Sequence, residues 1–362
     1  MNISYRTPIN GWVLPDPWAR DVKPHPYEEF EPYHRFVSAN VQEYTREDLR
    51  LSRAEQAAFL TFMGRRGLSP ATVTSIVRQL AQERRSDSHW KRAVILDKLQ
   101  FDVFRAYWKR ERPDFGTFFL NSTAHFQHLH WRNMEPEHFK LKPDAGEQAV
   151  YRDAILFGYE QMDDLCGRLL RLAGNDTTLV FTTALSQQPC LTYEEKGGKT
   201  IYRANDFAHL LDAVGIADSA DAAPVMAEEF HLDFASERAA QDAEAKLKAL
   251  RFRNRQAISV QRNGTDLMCG CCVWEQLESD AVLQIEGSER ELDFFDQIDL
   301  IKSGMHHPDG MLWIRTPDRR HGEHAEKVPL VAIAPTILQM YGIDQPAYMK
   351  GEALRRREPV AA

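Results

Sequence analysis

Three histidines, His125, His128 and His130, follow closely on the apolar run Phe115-Gly116-Thr117-Phe118-Phe119-Leu120. Neutral imidazole is a common metal ligand. His125 and His128 stand at i and i+3, so a helical turn there would bring both to one cation, while His130 points elsewhere. A second pair, His306 and His307, heads the segment Pro308-Asp309-Gly310. Neutral hydrogen-bonding side chains gather near the same places: Asn121, Ser122 and Thr123, and then Thr182, Thr183, Ser186 and Gln187. Asn121, Thr183 and Gln187 are the candidate substrate-binding groups among them, and capping of loops is the other use of such residues. No Ser-His-Asp order and no phosphate-cradling glycine motif is present, so the catalytic residues are left unassigned.

The elements that must position these groups follow from hydrophobic period and turn chemistry. Pro113 and the Phe115–Leu120 run suit a short central strand that ends at the histidines, where sites of open α/β sheets form. Asp144-Ala145-Gly146-Glu147 reads as a helix start, with Tyr151, Ile155, Met162, Leu165, Leu169 and Leu172 on one face and Gly174 at its end. The β-branched run Asp176–Thr183 then reads as a second strand, which makes a strand, long helix and strand unit of a parallel sheet. Thr183–Pro189 becomes a second functional loop beside the histidines.

Upstream, residues 1–45 are rich in proline and aromatics and read as packed loop. Residues 46–112 read as a helical insert. Within it Ser69-Pro70 starts a helix whose apolar face is Val73, Ile76, Val77 and Leu80. Residues 191–299 read as a smaller α+β insertion, with strands at Phe230–Phe234, Ala257–Gln261 and Ala281–Ile285 around a charged helix from Ser236 to Leu250. Met311–Arg315 reads as a strand, Pro335 as a helix start and Gly342 as its end, and 355–362 as a mobile tail.

The bulk properties narrow the function classes. The chain has 362 residues, 43% hydrophobic and 27% charged, which are the proportions of a globular protein. A formal net charge of -8 and a pI near 5.9 give no footprint for nucleic acid. Arg65-Arg66, Arg84-Arg85 and Arg355-Arg356-Arg357 are local basic runs that solvated helix ends and a tail explain. No stretch approaches the ~20 apolar residues that span a bilayer, and the N-terminus lacks a signal-peptide layout, so the expected location is cytoplasmic. Five cysteines, with Cys269-Gly270-Cys271-Cys272 crowded together, make a poor disulfide framework. They read as buried thiols in preference to a metal site, because no second cysteine pair stands at zinc spacing.

The segment His306-His307-Pro308-Asp309-Gly310, then Val328 through Ala334-Pro335-Thr336-Ile337-Leu338, Gly342 and Met349-Lys350-Gly351, resembles the C-terminal signature of the alkaline phosphatase superfamily. Its type I phosphodiesterase/nucleotide pyrophosphatase branch is the most similar. The resemblance covers about 113–190 and 300–354. It implies an α/β fold with a central, mostly parallel sheet flanked by helices, interrupted by the helical insert and the α+β insertion. It also implies two adjacent divalent metals, usually zinc, and a Thr or Ser nucleophile that clamp and attack a phosphate or sulfate ester.

Carried over by position, the family's third C-terminal ligand histidine falls on His306 or His307. Its Asp-x-x-x-His pair falls on Ala124 and His128, with His125 as a substitute ligand for the missing aspartate. Its Ser-Asp-His-Gly strand end falls near Thr182–Ser186, which holds neither Asp nor His. The nucleophile and first aspartate of the family have no counterpart, so either the polypeptide is shortened or a separately encoded partner carries that half. Two expectations follow. One is a diverged metal-dependent hydrolase of a small-molecule phosphate or sulfate ester, with a phosphodiester among the candidates and at most one zinc in an all-histidine site. The other is a non-catalytic pseudoenzyme, or a subunit whose protein partner supplies the nucleophile.

Overall fold

Helix starts follow the local chemistry of the sequence. Ser69 accepts the Thr72 amide at 3.1 Å, and Pro70 occupies a position where its missing N–H leaves nothing unpaired. Ser52 and Glu55 cap each other reciprocally at the next helix upstream. The computed structural model describes residues 9–17, 22–42, 51–204, 206–216, 219–225, 227–278, 281–285, 288–291, 295–297, 301–319, 321–323 and 326–354. The tail from Arg355, with its basic run, lies outside them.

The helices are α1 (Tyr27–Gln42), α2 (Arg53–Arg65), α3 (Pro70–Glu83), α4 (Ala93–Glu111), α5 (Ser122–Met134), α6 (Ala145–Tyr151), α7 (Ala154–Ala173), α8 (Phe207–Ala213), α9 (Glu237–Ala249) and α10 (Ile333–Met340). The strands are β1 (Leu179–Thr183), β2 (Ser186–Pro189), β3 (Tyr202–Ala204), β4 (Ser219–Pro224), β5 (Glu229–Phe234), β6 (Arg251–Phe252), β7 (Arg255–Gln256), β8 (Ile258–Asn263), β9 (Asp266–Cys271), β10 (Val282–Ile285), β11 (Ser288–Glu291), β12 (Phe295–Gln297), β13 (Gly304–His307) and β14 (Met311–Arg315). The chain separates into two units, Met1–Leu165 with Pro189–Met305, and Cys166–Gln188 with His306–Ala362.

Among the described residues the first unit holds three clusters of buried apolar residues, the smallest of them Val94, Phe126 and Ile155. In the helical part, Phe30, Tyr33, Phe59, Phe62, Met63, Val103 and Tyr107 pack together. Tyr27–Gln42 is thus helical within the stretch whose prolines and aromatics read as loop. The other large cluster lies under the antiparallel sheet β4-β5-β9-β8. Phe230, Leu232 and Phe234 alternate inward from β5, Leu267, Cys269 and Cys271 from β9, and Ala240, Ala243 and Leu247 of α9 close over them. The second unit contains the antiparallel pair β1 and β14, with Phe181 opposite Trp313, and the short helix α10.

The expected parallel sheet is overturned. The sheets hold two to four strands each and their ladders are antiparallel. Phe115–Leu120 forms no strand. Phe118 instead settles on α4 against Phe101 and Phe104, with Gly116 against Trp108, while Phe115 and Phe119 stay about half exposed. A short apolar run serves equally for a strand or for an irregular segment packed on a helix, and here the aromatic partners on α4 decide. β1 is a strand as read, but its partner comes from Met311–Arg315 and runs antiparallel.

A second correction concerns α3. Of the expected apolar face only Ile76 packs against the core, Val73, Val77 and Leu80 are exposed, and Thr72 and Gln79 are buried. Gln79 turns inward because its amide donates to the Ser88 carbonyl at 2.7 Å and to Glu83 at 2.9 Å, which satisfies the loop before α4. The helix at Asp144 begins as expected, with Asp144 accepting the Glu147 amide, but it breaks between α6 and α7. No helix among the described residues is long and apolar enough to cross a membrane.

Candidate functional site

The histidine cluster lies on α5, inside the first unit, and not in a loop after a strand. α5 has no cap of its own, since the Asn121 side chain makes no capping bond. Its first amide, Ser122 N–H, donates instead to Oδ2 of Asp97 on α4 at 3.3 Å. Behind it, Thr123 Oγ1 donates to the Gly158 carbonyl at 3.2 Å, and Phe126 is fully buried beside Val94 and Ile155.

His128 is half-buried, and its Nδ1 lies 3.0 Å from the Gly304 carbonyl oxygen. A carbonyl only accepts, so Nδ1 carries the proton and Nε2 carries the lone pair of the neutral ring. Gly304 can reach this place because it lacks a side chain: a Cβ there would stand 2.0 Å from the Gln127 carbonyl oxygen. The preceding residue, Ser303, is buried and donates its amide to the His128 carbonyl and its hydroxyl to the Leu129 carbonyl, both at 2.8 Å. Both bonds fall on the turn just before the kink at His130, whose φ is -118° and ψ 17°.

The three histidines have different surroundings. His125 is exposed on the first turn. His130 is buried, stacked on Tyr151 at 4.5 Å and 13°, with Trp90 edge-on. Burial, and secondarily the charge of His125, push its pKa down to about 4, against an opposing hydrogen bond from Asn133. It is therefore a neutral core residue.

The second unit treats its candidates differently. His307 Nδ1 accepts the Asp309 amide at 3.1 Å, so in the neutral ring the proton sits on Nε2. That tautomer is the reverse of His128 and suits a turn, not a ligand. Asp309 in turn pairs with Lys327, which is the main reason its carboxyl lies below the usual carboxylate range. His306 is exposed, and its carbonyl accepts the Gln188 amide at 3.0 Å. Thr183 Oγ1 accepts the Met311 amide at 2.9 Å and so closes the end of the β1–β14 ladder. Gln187 is half-buried on β2, and Asn121 is exposed at the start of α5.

Among the described residues no group of three or more His, Cys, Asp or Glu is arranged to hold a metal ion. A two-metal centre therefore does not fit these residues on their own, and Ala124 offers no carboxylate where the family resemblance puts one. The five cysteines are free thiols, and Cys269 and Cys271 point into the core of the four-stranded sheet. His321 is exposed beside Glu323.

Three contributors escaped the sequence reading. Asp97 carries a detectable signal, because it stands with Val94 and Phe101 on the buried stripe of α4, where an acid needs a partner. Ser303 and Gly304 carry almost none, since their role is a close approach to a helix 175 residues away in sequence, as the His128–Gly304 separation of 176 positions illustrates. No protein-family model, no curated protein and no solved structure matches this chain.

Proposed function

We propose that this chain contributes the histidine-bearing part of a centre that hydrolyses a small-molecule phosphate or sulfate ester, and that a partner polypeptide supplies the nucleophile and the carboxylates. The observation that carries this reading is the His128 Nδ1–H held on the Gly304 carbonyl. Metal-ligating histidines characteristically donate their other ring N–H to a carbonyl or carboxylate, which fixes the tautomer and aims the remaining nitrogen. A divalent cation, zinc first, is the ligand for which His128 is proposed, with His125 one turn earlier as its neighbour. The absence of a three-residue donor group among the described residues supports the partner requirement.

A pseudoenzyme is the second reading, and the His307–Asp309 turn favours it, because it uses the ring nitrogen that a ligand would need. Zinc titration of the purified chain, with and without His128→Ala, tests the first reading. It should be combined with hydrolysis assays on bis(4-nitrophenyl) phosphate and 4-nitrophenyl sulfate, run alone and with the product of an adjacent reading frame. The expected result is weak zinc binding lost in the variant, with turnover only when the partner is present. Turnover by the chain alone would remove the partner, zinc binding unchanged by His128→Ala would remove the site, and zinc binding without turnover under any condition would leave the pseudoenzyme.

A further inference from the structure

We propose that Asp97 is the positioning residue of the histidine helix: a buried carboxylate on α4 that caps α5 from outside and whose hold depends on its proton. The first amides of a helix have no partner inside it, so an acceptor brought from another element satisfies them. α5 supplies no side-chain cap, so this task falls to Asp97, which is 4% exposed and receives Ser122 N–H at 3.3 Å, with the Asn121 amide and the Ser122 hydroxyl also bonding to it. The same helix does this twice. Five residues on, Asp102 Oδ2 accepts the Ser69 amide at 2.8 Å and so caps α3.

The two carboxylates differ in what stands behind them. Asp102 has Arg105 at 3.4 Å. No cation among the described residues pairs with Asp97. Lys98, beside it on α4, sends its ammonium to Ser75 Oγ on α3 at 2.9 Å. The titratable group that faces it from α1 is Tyr33, a buried phenol that burial and the Asp97 charge keep un-ionised. From α5 it faces only the neutral Asn121 and Ser122, with His125 one turn further on.

Burial therefore raises the Asp97 pKa above the usual carboxylate value, and the hydrogen bonds from Ser122 and Asn121 only partly offset it. The closed cap then binds a proton more tightly than an opened, hydrated one. Closure gains at low pH, and that gain is lost as pH rises through the raised pKa. His125 stands three residues after Ser122 and His128 six, so loosening the first turn moves the first of them directly.

This proposal draws on the functional reading only for the importance of those two histidines, and its test needs neither metal nor substrate. Amide exchange at Ser122 and Thr123 is followed by NMR between about pH 4.5 and 8, corrected for intrinsic rates, in the wild type, Asp97→Asn and Asp97→Ala, together with the His128 ring nitrogen shifts. At the lower limit His130 is still mostly neutral. The wild type should lose protection with rising pH, by about tenfold for each unit by which the Asp97 pKa is raised. Asp97→Asn should hold the low-pH level throughout, and Asp97→Ala should be less protected at every pH. Flat protection in the wild type would overturn the proposal, as would an asparagine variant as open as the alanine one. Loss of protection that α9 amides share equally would also overturn it, since opening would then be global. If the alanine variant fails to fold, the comparison of wild type with Asp97→Asn decides.

Discussion

The sheets around β5–β9 and around β1–β14 start from the same alternating signal and end differently. β5 and β9 sit in the middle of four strands, and α9 buries their inward residues, with Phe230, Leu232 and Leu267 fully buried. Among the described residues β1 and β14 have only each other. Val180, Leu312 and Ile314 share a cleft with Ile333, Ile337 and Met340 of α10, while Trp313 and Met311 on the opposite face are about half exposed. A lone pair of strands is marginal in water, and three or more with a covered face are needed for independent stability. The first sheet is closed within its own unit, whereas the second leaves a face of the kind that partners cover.

The largest test of this contrast is a pair of truncations. Phe230→Ala should cost about 3–5 kcal/mol, since it empties a fully buried site. Trp313→Ala, 46% exposed in the wild type, should cost under ~1 kcal/mol by the smaller area it removes from contact. Urea denaturation of the two variants measures both. Equal losses would show that the β1–β14 face is as closed as the other.

Acid sensitivity gives the next effect, and it locates stability in the helical part of the first unit. His130 titrates near 4 in place of its usual 6.5 because burial disfavours the imidazolium. Between those values the unfolded chain binds more protons than the folded one, so stability falls as pH drops from about 6.5 toward 4. The full loss is on the order of 3 kcal/mol at 1.36 kcal/mol per unit. His130→Phe keeps an aromatic ring against Tyr151 and should abolish that slope. A variant with the same acid limb as the wild type would move the cause elsewhere.

What the sequence made legible was local. Ser69-Pro70, Asp144-x-x-Glu147 and Ser236 start helices because a cap is decided within four residues, and β5, α9, β1 and β14 followed from period alone. The parallel sheet failed because strand pairing is a long-range choice: Phe115–Leu120 had aromatic partners waiting on α4, and β1 found Met311–Arg315 instead. The inversion of α3 has the same origin, since Gln79 answers a carbonyl that its own helix gives no sign of. At the candidate site, the histidines were visible as residue types, but their roles were not. Tyr151 makes His130 a core residue, Gly304 sets the tautomer of His128, and the Asp309 amide sets the opposite one in His307.

The smaller effects come from single groups. Glu83 illustrates the acid side: Arg92 above all holds its carboxyl near 2, against a usual 4.5. Its stabilising contribution is therefore complete above about 4.5 and is lost only as pH falls toward 2. Glu83→Gln should remove that acid limb and lower stability at neutral pH, where the pairing with Arg92 is fully formed.

Thiol chemistry carries the comparison furthest with the least disturbance. Cys269 and Cys271 face the core from β9, and burial pushes both up to about 12, so neither the thiolate nor an approach path is present in the folded sheet. Cys166, at the start of the second unit, is half-buried. Ellman's reagent at pH 8 should accordingly modify Cys166 while Cys269 and Cys271 react at least ~10³-fold more slowly, at a rate set by opening of the four-stranded sheet. Mass spectrometry of the labelled peptides assigns each site. Comparable labelling of Cys271 and Cys166 would mean that the sheet under α9 opens as readily as the smaller unit, and the difference between the two sheets would then lie in their static packing alone.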